Sequence, residues 1–214
     1  MVQSPWRPER SGVHRTPVRN GIAHAFGFAY NQPMAKTKTT YILLFRGVGG
    51  ATQLPTAPLR EALTEAGFEN VATYINSGNA VLRSALSREK VIASAANICE
   101  DRLGFTKALY APTLAEWEIL IANNPFPDFE VPKFLHAAVL AGDPTKEAIE
   151  GLRAHAVDGE RIEVVGRVAY LHTPNGFGKS KLGEKFDKGI GVANTARNWN
   201  TVLKLLELAK KAAG

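Results

Sequence analysis

"NVATYINSGNAVLRS", residues 70–84, reads as two short strands around a turn. β-Branched and aromatic residues mark the arms. Between them, Asn76-Ser77-Gly78-Asn79 has the composition of a turn, with Gly78 free to take positive φ. This hairpin decides the fold because of what flanks it. Upstream, "YILLFRG" (41–47) is a continuous apolar run, as expected of a buried central strand. "TAPLREALTEAGF" (56–68) then predicts a helix with Leu59, Leu63 and Ala66 on one face. Thr56 is its expected N-cap, Pro58 lies in its first turn and Gly67 ends it. Downstream, residues 87–103 predict a second helix, and "TKALYAP" (106–112) a fourth strand. The order is β-α-β-β-α-β, the ferredoxin-like plan.

The same order then starts again. Thr113-Leu114-Ala115-Glu116 is a capping box opening a short helix to about residue 122. "NNPFPDFEVP" (123–132) is dense in Pro and Asn and reads as a connector. "KFLHAAVLAG" (133–142) predicts a strand, and Asp143-Pro144 is expected to cap and start the helix after it. "RIEVVG" and "RVAYLHTP" form a hairpin around Gly166. A short helix over 180–189, a brief strand over 191–197 and a long closing helix complete the chain. In that last helix Trp199, Val202, Leu203 and Leu206 are placed on one stripe. The fold class is therefore α+β, with two ferredoxin-like (α/β-plait) subdomains and antiparallel sheets. The expected boundaries are an N-terminal extension over 1–35, a first unit over 36–123, a linker over 124–132 and a second unit over 133–214.

The 214 residues are enough for such a pair, and 45 % hydrophobic content suits a globular body. Residues 1–33 hold four prolines and scattered arginines without an apolar period. They are expected to be disordered, with Met34 as the natural start. The single cysteine, Cys99, falls at helical spacing with Val91, Ile92, Ala95 and Ile98, and reads as a small core residue. No Cys/His spacing suggests a metal, no cofactor motif is read, and no apolar run reaches the ~18 residues of a membrane span. The expectation is a cytoplasmic protein without a membrane partner. The net charge of +6 sits at the ends. Residues 1–40 carry six basic residues against one acid, and residues 179–214 carry eight against three. Residues 41–178 are acidic on balance, twelve against sixteen, so a local positive patch near the C-terminus is the firmer statement.

Four polar constellations are candidates for chemistry. Gly178-Lys179-Ser180 resembles the close of a phosphate-binding loop, but that motif needs glycine at position 173, where this chain has Thr173. Pro174 also removes a donor that should point inward. A weaker anion site at a helix N-terminus survives, with Lys179, Ser180 and Lys181; its rival is a glycine-rich turn with solvated lysines. "NTARNWNT" (194–201) sets Arg197 beside a helix start that Asn198 or Asn200 caps. Arg197 suits a carboxylate or phosphate, or ties the helix start to an acid or carbonyl. Arg46 stands at a strand end beside the loop Gly47-Val48-Gly49-Gly50. Ser77 and Asn79 flank Gly78 in the hairpin turn, and no histidine is placed to activate Ser77. A strand length of ~17–20 Å is expected to separate Arg46 from Ser77.

The stretches "YILLFRGVGG", "TYINSGN" and "ARNWNTV" together resemble an uncharacterised bacterial family, the domain of unknown function 1697. The resemblance covers nearly all of residues 40–211. It implies paired α/β-plait subdomains and no established activity. The family commonly reads Arg-Gly-Ile-Asn-Val-Gly-Gly in its first loop; here Arg46-Gly47-Val48-Gly49-Gly50 lacks two of those residues, including the Asn.

The residues leave three readings. The leading one is a binding module for an anionic or phosphorylated ligand, a nucleotide or a nucleic-acid backbone. Its site would be built from Arg46, Ser77, Asn79, Lys179, Ser180, Lys181, Arg197 and Asn198. The second is an enzyme acting on a small phosphorylated or carboxylated metabolite. The third is a protein-interaction module whose polar motifs cap helices and shape turns. Convergence of Arg46, Lys181 and Arg197 into one cleft favours a ligand; their dispersal favours the third.

Overall fold

A computed structural model describes residues 37–49 and 53–214. The N-terminal extension, Met34 and Gly50 lie outside the described residues. Strand β1 (Thr39–Phe45) leads to helix α1 (Thr56–Glu65), strands β2 (Glu69–Thr73) and β3 (Asn79–Ser84), helix α2 (Arg88–Leu103) and a two-residue strand β4 (Leu109–Tyr110). Helix α3 (Leu114–Ala122) connects to the second series. That series runs β5 (Leu135–Leu140), α4 (Lys146–Arg153), β6 (Arg161–Val165), β7 (Val168–His172), α5 (Lys181–Gly189), β8 (Asn194–Asn198) and α6 (Trp199–Ala213).

Each series makes a four-stranded, wholly antiparallel sheet. The orders are β2-β3-β1-β4 and β6-β7-β5-β8, the same topology twice. The fold is α+β in two subdomains.

Strand periodicity sorts the core into three parts. On one face of the first sheet, Tyr41, Leu43 and Phe45 pack with Leu59 and Leu63 of α1 and with Val91, Ala95 and Cys99 of α2. On one face of the second sheet, Ala138 and Leu140 pack with Leu152 of α4 and Phe186 of α5. The remaining faces share a core. Ile42 and Leu44 of the first sheet and Leu135, Ala137 and Tyr170 of the second meet Trp117 and Leu120 of α3 and Val202, Leu205 and Ala209 of α6. The layers thus run α1/α2, first sheet, α3/α6, second sheet, α4/α5. The polar tips buried in the middle layer are satisfied. Trp117 Nε1 donates to the Val202 carbonyl at 3.0 Å and the Tyr170 hydroxyl to the Leu120 carbonyl at 2.6 Å.

Several local expectations change. The stripe of α6 runs Trp199, Val202, Leu205, Ala209 and Ala212, whereas Leu203 is 42 % exposed. Two sheets, not one, meet this helix, so its apolar arc is rotated from the stripe expected. Helix α4 starts at Lys146 and is capped by Thr145, whose hydroxyl accepts from Ala148 N at 3.1 Å. Asp143 instead pairs with Arg167 across the sheet end. Thr56 lies inside α1, behind an N-cap at Pro55 that makes no side-chain bond. The capping box of α3 holds: Thr113 Oγ1 accepts from Glu116 N, and Glu116 Oε2 accepts from Thr113 N at 2.8 Å. Cys99 is fully buried, and burial pushes its thiol up to about 11. The connector is anchored by Phe126, buried in the shared core, and by Phe129, whose ring lies 5.9 Å edge-on from Trp199.

Candidate functional site

Arg46 and Ser77 are neighbours. Strand β3 runs antiparallel to β1, so its start lies beside the end of β1. Leu44 pairs with Asn79, and Phe45 N donates to the Gly78 carbonyl at 2.9 Å. The strand-length separation expected from an ideal plait is corrected by this register. Gly78 is required here. Its φ is +72°, and a Cβ would stand 2.7 Å from Phe45 Cβ and 2.9 Å from Val48 Cγ2.

Arg197 reaches this turn from β8 of the other subdomain. Its Nε donates to Asn79 Oδ1 at 2.6 Å. Nη1 donates to Thr195 Oγ1 at 2.9 Å and to the Ala196 carbonyl at 2.8 Å. Nη2 donates to the carbonyls of Phe45 at 2.9 Å, Gly78 at 3.2 Å and Ser77 at 3.4 Å. A guanidinium has five N–H groups, and all are spent on oxygens of the protein. None of those oxygens belongs to a carboxylate. Burial therefore acts uncompensated by an opposite charge, and the group is brought down to about 10. Asn79 is fully buried and equally committed, its Nδ2 donating to the Tyr74 carbonyl and to Ser77 Oγ at 2.9 Å. Arg197, Asn79 and Ser77 thus form one network that fastens the two subdomains.

Arg46 lies at the same junction but points elsewhere. Its Nη2 pairs with both oxygens of Asp187 on α5, at 2.7 and 2.8 Å. The pair is half-exposed, and Asn194 Nδ2 adds a bond to Asp187 Oδ1 at 3.1 Å. Lys179 and Lys181 are exposed at the start of α5, and Ser180 is its N-cap, accepting from Gly183 N at 2.8 Å. The anion preference of this helix end is met internally: Glu160 Oε2 accepts from Leu182 N at 3.2 Å. Asn198 caps α6, its Oδ1 accepting from Thr201 N at 3.0 Å. The eight candidates therefore do not converge on one open site. Four meet at the junction, three at the start of α5, and Asn198 serves a cap.

A cleft lies between the subdomains, at residues the sequence did not single out as candidates for chemistry. It has a volume of about 560 Å³ and is floored by residues 108–112, the β4 edge of the first sheet. Ile92 and Leu120 of the first subdomain and Val139, Leu140 and Val168 of the second supply its apolar lining. Arg88, Arg167, Glu116 and Tyr110 supply its polar groups. Arg88 Nη2 contacts both oxygens of Glu116 at 2.6 Å, while Arg88 Nε is buried with no hydrogen-bond partner. Burial raises the Tyr110 phenol; Arg46 opposes the rise and Asp187 adds to it. One signal for Arg88 was present in the sequence. It is the first residue of α2 behind Ser87, where a cation opposes the helix dipole. Among the described residues, no group of three or more His, Cys, Asp or Glu could hold a metal, and no helix is long and apolar enough to cross a membrane.

Comparison with known proteins agrees with the doubled architecture. The conserved bacterial protein SP0830 from Streptococcus pneumoniae superposes with a TM-score of 0.64 at 21 % identity, over 81 % of this chain and 99 % of that one. At that identity the likeness concerns the fold. No curated protein matches the chain. The family model described as a protein of unknown function (DUF1697) matches residues 38–170, from β1 through the central strands of the second sheet, and the chain belongs to that family.

Proposed function

We propose that the protein is a binding module for an acidic ligand with an apolar body, seated in the cleft between the subdomains. The observation that carries this is a pair of arginines, Arg88 and Arg167, in the lining of an otherwise largely apolar cleft of about 560 Å³. Arginine in such a setting suits a carboxylate or phosphate oxygen. The volume lies within the range of small-ligand sites, ~300–1,000 Å³. Arg167 adds a second cation, tied only to exposed Asp143 at 3.3 and 3.4 Å. The earlier anion reading thus keeps its ligand class and changes its place. Arg197 and Asn79 belong to the framework because their bonding capacity is spent.

A thermal-shift screen tests this with aryl and alkyl carboxylates, aryl phosphates, nucleotides, inorganic phosphate and short oligonucleotides, on wild type and Arg167→Ala. A ligand at 100 times its Kd adds about 2.7 kcal/mol. Stabilisation by apolar acids that weakens in Arg167→Ala supports the module. Stabilisation by oligonucleotides alone, falling steeply with salt, would point to nucleic acid at exposed Lys179 and Lys181 instead. No shift with any probe would remove the ligand-binding reading.

A further inference from the structure

The connector between the subdomains is held down by one arginine of β6. Arg161 Nη2 donates to Asp128 Oδ1 at 3.1 Å, and the guanidinium carbon lies 4.6 Å from the centre of the Phe126 ring. Both partners belong to the connector. The Asn124 side chain closes the backbone beside them, accepting from Phe126 N at 3.1 Å and donating to the Phe126 carbonyl at 3.3 Å. Phe126 is thereby seated in the shared core at 4 % exposure, and Phe129 rests edge-on against Trp199.

His172 adjoins this grip. It is the strand partner of Arg161, its ring centre lies 6.4 Å from that of Phe126, and its Nδ1 stands 3.5 Å from Arg161 Nη2. Neutral imidazole can turn a lone pair to that nitrogen, whereas imidazolium turns an N–H and a second positive charge to it. A cavity of about 330 Å³, lined also by Glu130, Val131, Phe134 and Pro174, gives a proton access to the ring. The remaining charges nearby do not change this balance. Glu130, Asp158 and Lys133 are exposed, with Lys133 lying over the Phe134 ring at 5.0 Å. Glu160 is spent on Val157 N and Leu182 N. Burial and then Arg161 hold His172 below its ordinary value; Asp128 and a backbone hydrogen bond to Gly159 act the other way and are outweighed.

We propose that the connector is a strap released by acid, in which a proton on His172 drives Arg161 off Asp128 and Phe126 and lets residues 123–132 lift from the apolar rim at Trp199. The two-state element is the connector itself, and the charge change that biases it is local. In the lifted state the imidazole returns to water and to a value near 6.5, so the open fraction rises with acidity by up to tenfold per pH unit below that point. Between pH 7.0 and 5.0 a single such proton raises it by about 25-fold at most. His136 takes no part, because its burial among the strands of the second sheet does not depend on the connector's position.

Hydrogen exchange followed by mass spectrometry tests this on the full chain at pH 7.0 and 5.0, with exchange times scaled for the intrinsic pH dependence of amide exchange. Wild type is compared with His172→Gln, which stays neutral, and with His136→Leu; both variants are first checked for melting at pH 7.0. Connector amides over 123–132 are expected to be less protected than those of strand β1 at both pH values, the mark of local opening. Their protection should fall at least about threefold on acidification, in wild type and equally in His136→Leu, and by less than that in His172→Gln. A connector as protected as β1 would overturn the strap, since it would then open only with the whole fold. So would a smaller fall in wild type, a fall that persists in His172→Gln, or one that disappears in His136→Leu. If His172→Gln melts early, NMR titration of wild type decides. The connector amide shifts and the His172 imidazole should then share one midpoint, and separate midpoints would overturn the proposal.

Discussion

Arg197→Met is the perturbation that tests the junction most directly. The substitution keeps an unbranched apolar stem and removes five donors and a charge. It strands the carbonyls of Phe45 and Ala196 and the Oδ1 of Asn79, each now within 2.6–2.9 Å of a guanidinium nitrogen, and leaves the Gly78 carbonyl with only its bond from Phe45 N. Orphaned buried acceptors cost ~1–3 kcal/mol each, and breaking one side of a buried charged network costs ~3–5 kcal/mol. Relaxation and water entry reduce the sum of the single terms, so a loss of about 3–5 kcal/mol is expected. For a chain of this size that lowers Tm by roughly 6–20 °C. Arg197→Lys should fall between, because one ammonium with three donors cannot span oxygens on both subdomains. Urea titration followed by tryptophan fluorescence measures both, since Trp199 is buried two residues away. A loss below about 1 kcal/mol in Arg197→Met, or a lysine variant as stable as wild type, would refute the network as the fastening between subdomains.

Arg46→Ala and Asp187→Asn remove a half-exposed pair at the same junction, and each should cost no more than about 1 kcal/mol in the same titration. Gly78→Ala should lose more than that, because alanine is strained at φ +72° and its methyl would collide with Phe45 and Val48; a neutral result in a melting experiment would contradict the turn geometry. Burial lowers His136 from 6.5 to about 4 and leaves its Nδ1 without a partner. The unfolded chain takes up a proton near pH 6.5 while the folded one resists until about pH 4. Stability should therefore be flat above neutrality and decline as pH falls through that window, by up to about 3 kcal/mol. His172, lowered chiefly by burial and by Arg161, slopes the same way. Melting curves of His136→Leu should show a shallower decline between pH 6.5 and 5; an unchanged slope would assign it elsewhere.

Local chemistry determined a large part of this protein. The hairpin around Gly78, the capping box at Thr113 and Glu116, the buried strand at Tyr41–Phe45 and the doubled β-α-β-β-α-β order all follow from periodicity and turn residues, which act over a few neighbours. The polar motif around Arg197 was also visible, since an arginine among asparagines before an apolar helix is conspicuous. Its role was not, because four of the six oxygens it binds lie more than a hundred residues away at the end of β1 and around the start of β3. Glu160 at the start of α5 was hidden for the same reason: a helix end looks open until a distant carboxylate is found on it. The cleft belongs wholly to the tertiary structure. Arg88, Tyr110 and Arg167 share no motif and come together only when the faces left open on both sheets bury the same two helices, α3 and α6. Pattern along the chain specifies which faces must be buried; which surfaces bury one another, and what gap remains between them, depends on packing across the whole fold.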